Sequence, residues 1–432
     1  MLNTPEIVLD QYCVSLRNGF LPDTLPLQKL NNPYYSPWEE VVADLPARIE
    51  AGTIRQAVDS LPILSTSRLQ EESEWRRAYV VLAFITHAYI WGGERPKDVL
   101  PPAVSCPILE VSKHLELPPC ATYAALNLWN FKVSSPDVDL TDPDNLSIIT
   151  TFTGTKDEEW FFMISVAIEA KGAELITVML NAIYAVSVAE HQRVTTLLYQ
   201  LSDGLKELGE ILERMYEKCN PSVFFYQLRP FLAGSKNMAS SGLPQGVFYD
   251  LGGHGEWHQY SGGSNAQSSL IQTFDIFLGV EHSATGEAKL NSTSQFKPKI
   301  GFIQASDMRN YMPGPHRRFL EMLTRTSNVR QFAMSYKADT EVRNAYNAAV
   351  MAVGVFRDKH IQMVSRYIIT PSRNKPTQTS SAQVNLATVT AANQVERPND
   401  IPAGYSGTGG TDLIPFLKQT RDTTKAAAKY TD

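Results

Sequence analysis

Cysteine is scarce in this 432-residue chain. Cys13, Cys106, Cys120 and Cys219 stand apart, with no CxxC pair and no CxxCH. That excludes a disulfide framework, a paired-cysteine metal knuckle and covalent haem attachment, and leaves reduced, mostly structural thiols as the expectation. Long apolar runs are missing too. Stretches such as Ala78–Trp91 are broken by Thr86 and His87 and are too short to span a bilayer. The N-terminus, MLNTPEIVLDQYCVSL, has no basic region followed by an apolar core, so no secretory signal is expected there. No excess of positive charge exists either: 39 Lys and Arg stand against 45 Asp and Glu, a net charge of -6 without a basic cluster. A nucleic-acid partner is therefore not expected, nor a membrane one, and a cytoplasmic protein is.

Standard catalytic signatures are also lacking. There is no HExxH, Walker A loop, GxSxG or dinucleotide fingerprint. GTGGT, residues 407–411, superficially resembles a phosphate loop but follows a polar stretch rather than a strand. The acidic pair Glu158–Glu159 reads as a solvated helix N-terminus favoured by the macrodipole.

What is present is helix. Hydrophobic residues make up 43% of the chain and charged residues 19%, enough apolar material for a sizeable core. Helical patterns are expected at 38–51, 68–90, 158–187, 190–218, 266–280, 312–323 and 341–370, and a short one from Cys120. Strand signals are scarce, so the fold class is mainly α. The acidic, proline-containing run Ser134–Asn145 marks a surface connection and a lobe boundary. A small N-terminal lobe, 1–145, and a large helical one, 146–432, follow. Residues 371–406 are polar and nearly free of large apolar side chains, which predicts a flexible loop. Order is expected to resume after it, with Thr411 or Asp412 capping a last helix.

Four features invite chemistry. In the stretch 341–370, Val342, Tyr346, Ala349, Val350, Val353, Phe356 and Met363 fall on one helix face, and His360 shares it. Arg357, one turn earlier, is expected at the rim. A histidine aimed inward is a hydrogen-bonded core residue or a ligand. Arg229 sits among apolar neighbours in FFYQLRPFL, where a guanidinium needs either a structural ion pair or a bound carboxylate. SGGSN, Ser261–Asn265, is a plain turn with a cap, or a place where backbone approaches a planar ligand closely. Phe161 and Ser165 share a helix face, with the serine either bonded to its own helix or lining a pocket.

Taken together, these stretches resemble the indoleamine 2,3-dioxygenase family in a fungal-type version. The likeness runs through ELPPCATYAALNLWNF, WFFMIS, FFYQLRPFLAG, SGGSNAQSSLIQTFDIFLG, MPGPHRRFLEML, RDKHIQMVSRYI and GTGGTDLIPFLK. The resemblance implies a two-lobed helical protein with haem b between the lobes, one per chain. It implies insertion of O2 across the indole C2–C3 bond of L-tryptophan to give N-formylkynurenine, in tryptophan catabolism, the kynurenine pathway and NAD biosynthesis. His360 would be the iron ligand, Arg357 would contact a haem propionate and Asp275 would pair with it. Arg229 would hold the substrate carboxylate and Phe224 would pack on the indole. Tyr123, Phe161 and Ser165 would line the distal pocket, Gly263 and Ser264 the haem edge, and Thr408 would close over the amino-acid end. No side chain among them is implied to act as acid or base. An external electron donor and a monomeric protein are expected as well. Leu126 and Asn265 depart from the small residues expected in the pocket. The alternative within the same fold is a haem protein that binds O2 or senses tryptophan without turnover.

Overall fold

Helices form where the apolar periodicity is longest, and they stop where proline, glycine or a turn residue interrupts it. The computed structural model describes residues 8–135, 137–280, 282, 308–335, 340–373 and 413–428. The helix expected at 38–51 is two, α1 (Ser36–Ala43) and α2 (Leu45–Glu50), because Asp44 turns the chain and Pro46 sits in the first turn of the second. A proline there loses no intrahelical bond. After α3 (Ile54–Asp59) comes α4 (Glu72–Trp91), started by a capping box in which Glu71 and Glu74 serve each other's backbone. From Arg77 to Trp91 every residue of α4 is buried, so this helix forms a centre rather than a surface.

Strand β1 (Val99–Leu100) and α5 (Pro102–His114) follow. The run Ser134–Asn145 joins β2 (Phe131–Val133) to β3 (Leu146–Ile148), an antiparallel pair that straddles the expected lobe boundary. Arg214 pins this connection through Asp142 at 2.7 Å and Asp144 at 2.5 Å.

Two long helices come next, α6 (Lys156–Ser187) and α7 (His191–Glu213). Thr155 caps α6 by accepting from the Glu158 amide at 3.2 Å. Glu158 corrects the expectation of a solvated terminus. It is fully buried and accepts from the amides of Phe152 and Thr153 at 2.7 and 2.6 Å, folding the incoming chain over the helix start.

A three-stranded sheet of order β1, β4 (Val247–Asp250) and β5 (Gly255–His258) joins an early segment to a late one, with β1 parallel to β4. Then come α8 (Ser269–Phe277), α9 (Gly314–Thr326), α10 (Val329–Ser335), α11 (Thr340–Val364) and α12 (Leu413–Ala427). Past α11 the chain stays helical through Ser365–Ile369 and Thr370–Arg373. The first three residues of the expected loop 371–406 are therefore helical. The rest of that loop, Thr408 and the proposed cap at Thr411 or Asp412 lie outside the described residues.

The packing order is α6 on α7, α7 on α11, and α11 on α12. Gly204 of α7 sets one approach: a Cβ there would lie 2.3 Å from the Leu175 side chain of α6. The mainly α class is borne out.

The core also holds charge. Arg77 donates to Glu39 at 3.0 and 2.6 Å and to Thr150 Oγ1 at 2.9 Å, with both charged side chains nearly sealed from water. Removing one partner leaves a buried charge unmet, whereas removing both does not. Arg77→Ala is expected to lower the unfolding free energy by about 3–5 kcal/mol. The apolar pair Arg77→Met with Glu39→Leu should restore most of it in urea titrations; a double variant as unstable as the single one would refute the assignment.

Candidate functional site

One turn before His360 on α11, Arg357 lies inside the protein rather than at its rim, because two other helices supply its partners. Its Nη2 donates to both Asp275 oxygens of α8 at 2.8 and 2.7 Å, and its Nη1 donates to the Thr424 hydroxyl of α12. His282 Nε2 stands 3.0 Å from the far Asp275 oxygen, in ion-pair range but not in hydrogen-bonding geometry. Burial raises the Asp275 carboxyl, but Arg357 and His282 outweigh it and hold the group below the ordinary carboxylate range. Asp275 is thus a fixed anion, and the expected pairing with Arg357 is present.

His360 makes no hydrogen bond to another described side chain or carbonyl. It is half-buried. Enclosure, with Arg357 adding to it, lowers its pKa to about 4, so the imidazole is neutral at physiological pH. A neutral ring with its nitrogens uncommitted, held on a long helix, is the donor that haem iron requires. The residues present fit the group.

The other expected site residues come from segments far apart in sequence. Phe161 of α6 meets Phe224 at 4.7 Å between ring centres, and Phe224 meets Tyr367 edge-on at 5.8 Å. Arg229 is buried one turn beyond, its guanidinium 5.5 Å over the Phe225 ring; burial lowers its pKa to about 10, which leaves it charged. Leu126 packs beside Gly263. A Cβ at Gly263 would lie 2.3 Å from Leu126 Cδ1 and 3.2 Å from the Ala121 carbonyl, so a larger residue there would make Leu126 shift. Gln267 ties these two segments, accepting from the Tyr123 amide and donating to the Gly262 carbonyl, both at 2.9 Å. Ser165 is buried on α6, close enough to the Tyr123 phenol to influence it.

Ser264 caps the turn Asn265–Gln267 by accepting from the Ala266 amide at 3.3 Å. Asn265 is exposed among the described residues at that turn. Thr408 lies outside the described residues.

Some contributors carried no sequence signal. The turns Ala124–Leu128, Phe224–Leu228 and Ser365–Ile369 are π-helical, and each carries or adjoins a site residue. Behind them, α4 grips main chain. His87 Nε2 accepts from the Ala121 amide at 3.0 Å, so Nδ1 carries the proton and donates to the Phe231 carbonyl at 2.8 Å. Trp91 donates to the Ala233 carbonyl at 3.0 Å, and the Tyr79 hydroxyl binds the carbonyls of Pro118 and Cys120 at 2.8 Å. Glu169, one turn after Ser165, joins Tyr123 to Ser268. A separate recess lined by Arg76, His114, Trp129 and His316 contains none of the expected site residues.

The family model for indoleamine 2,3-dioxygenase matches residues 8–427. An indoleamine 2,3-dioxygenase of Penicillium citrinum is 42% identical over 430 residues, 98% of this chain and 89% of that protein. One of Saccharomyces cerevisiae is 41% identical over 440 residues, 98% and 94% of the two chains. A 6-hydroxytryptophan 2,3-dioxygenase of Fusarium equiseti is 37% identical over 414 residues, 96% of each.

His87 generates a pH test. Burial lowers its pKa to about 4, against about 6.5 unfolded. The unfolded chain therefore binds this proton first, and stability present above pH 6.5 is lost progressively as pH falls toward 4. His316 and His360 are lowered in the same direction. Replacing His87 with Gln is expected to reduce the slope of unfolding free energy between pH 6.5 and 4.5 by up to one proton, about 1.4 kcal/mol per pH unit. Denaturant titrations across that range check it; an unchanged slope would show that His87 is not the buried neutral base described.

Proposed function

The chain belongs to the indoleamine 2,3-dioxygenase family, and from that membership we propose its function: haem-dependent insertion of both atoms of O2 across the indole C2–C3 bond of L-tryptophan, giving N-formylkynurenine. The observation that carries this reading is His360, a neutral imidazole with no hydrogen bond to another described side chain, one turn after the buried Arg357–Asp275 pair.

When bound, ferrous haem b supplies the activation of O2 that no amino-acid side chain offers. His360 would hold its iron, and Arg357, already oriented by Asp275 and Thr424, would meet a propionate. The chain's own task is then binding and exclusion. Phe161 and Phe224 present ring faces on which the indole would pack, and their apolar surface keeps water from it. Arg229, fixed at the end of the Phe224–Leu228 turn, would clamp the substrate carboxylate through a charge-assisted bond. Tyr123 and Ser165 would shape the distal wall, Gly263 would let the backbone approach the haem edge with Ser264 beside it, and Thr408 would close the amino-acid end. None of these residues is assigned as acid or base.

The proposal extends to context. The product leads into the kynurenine pathway and NAD biosynthesis, the protein is a cytoplasmic monomer, and an external donor reduces the iron. Among the described residues no helix is long and apolar enough to cross a membrane. The lobe carrying Tyr123, residues 1–145, would cover the distal side, and 146–432 would carry the proximal helix.

His360→Ala is expected to lose tightly bound haem and the Soret band with it; full haem content with full turnover would sink the ligand assignment. Arg229→Ala should raise KM for L-tryptophan by about 10- to 200-fold, the loss of about 1.5–3 kcal/mol of charge-assisted bonding. Tryptamine, which lacks the carboxylate, should bind both proteins alike, and an equal loss for tryptamine would refute the clamp.

A further inference from the structure

The reaction as described leaves one buried acid unused. Glu169 sits mid-way along α6 and is 1% exposed. Its Oε1 accepts two hydrogen bonds, from the Tyr123 hydroxyl at 3.0 Å and from Ser268 Oγ at 2.6 Å. Its Oε2 is equally buried and has no hydrogen-bond partner. Two donors on one oxygen and none on the other is the arrangement of a protonated acid. The carbonyl oxygen spends both lone pairs, and the hydroxyl is the other atom. A carboxylate would instead place half its charge on an unsolvated oxygen.

The surroundings agree. Tyr123 is the titratable group that faces Glu169 among the described residues, and no described cation pairs with it. The Gly19 turn presses backbone against α6 here, about 3.3 Å from the Glu169 carbonyl if glycine carried a Cβ. From α8 it meets only the neutral Ser268 hydroxyl. That hydroxyl also accepts from the Ile271 amide at 3.4 Å, which makes it the cap of α8. Two turns further along α8 is Asp275. Glu169 therefore joins the distal wall at Tyr123 to the helix that orients Arg357.

We propose that Glu169 is a positioning residue that works as a neutral carboxylic acid, its carbonyl oxygen holding Tyr123 in the distal wall and Ser268 at the start of α8. Ionisation forces the two donors to be shared between both oxygens or draws water to Oε2, and either displaces Tyr123. Burial raises the pKa of Glu169 to about 7, so the change falls in the neutral range. The inference rests on the preceding reading for the place of Tyr123 in the substrate pocket, and on geometry alone for the state of Glu169.

Infrared difference spectroscopy of the holoprotein, with glutamate carboxyls labelled with carbon-13, tests the state directly. The wild-type protein should show a protonated-carboxyl stretch at pH 6 that fades toward pH 8 and is missing in Glu169→Gln. In steady-state assays, KM for L-tryptophan in the wild-type protein should rise about tenfold from pH 6 to pH 8 as the competent neutral fraction falls. Glu169→Gln, neutral at every pH and still offering a carbonyl oxygen, should show a flat KM over that range. Ser268→Ala, which removes one donor but not the acid, should keep the pH dependence. A missing protonated band, or a Gln variant that reproduces the wild-type pH profile, overturns the proposal. If the wild-type protein shows no turnover, the function proposed above fails, and the infrared band alone decides the state of Glu169.

Discussion

Arg357 can remain inside the protein only because Asp275 meets it there, and that requirement orders everything around the site. Breaking such a pair strands a charge at a cost of several kcal/mol, so the helices carrying its members are held to one arrangement. The guanidinium belongs to α11, the carboxylate to α8 and the second acceptor, Thr424, to α12. A slip of one residue along α11 would turn His360 by about 100° from its present direction. The pair therefore does for geometry what a hydrophobic contact, being non-directional, cannot. On the far side α8 is itself anchored, through Ser268 and Glu169, to α6 and Tyr123. Helices α6, α8, α11 and α12 are thus tied together through these polar contacts.

The departures from regular helix fall on this frame. Each π-helical turn widens the helix by one residue and redirects the side chains that follow, at the expense of regular hydrogen bonding. Phe224, Leu126 and Tyr367 all lie within such turns. The packing of Phe161 on Phe224 and of Phe224 on Tyr367 brings three separate helical segments onto one aromatic surface.

Much of this was legible in the sequence, but unevenly. Long periodic segments such as α6, α7 and α11 could be read from spacing, because a helix that buries one face must repeat it. The break at Asp44 could not, since that residue does not forbid a helix by itself. Arg357 was read as a rim residue because a charge beside an apolar stripe usually is one; its partners lie 82 and 67 residues away. The site residues became legible only through resemblance: Arg229 alone does not distinguish an ion pair from a clamp. Glu169 and His87 stayed hidden inside apolar runs, where nothing in spacing shows that a polar group has found partners. Glu158 misled for the opposite reason, being a helix-start acid that turned inward to hold the preceding loop.

Three side chains of α4 hold this part of the site chiefly through main chain. His87, Trp91 and Tyr79 bind the carbonyls of Phe231, Ala233, Pro118 and Cys120 and the amide of Ala121, and touch none of those residues' side-chain polar groups. Because these bonds reach peptide groups, the path of the backbone depends little on the identity of the side chains it displays. Residues such as Leu126 are free to change size or polarity while the scaffold behind them stays put. The course of the main chain and the character of the side chains it displays are thus separable layers of this architecture.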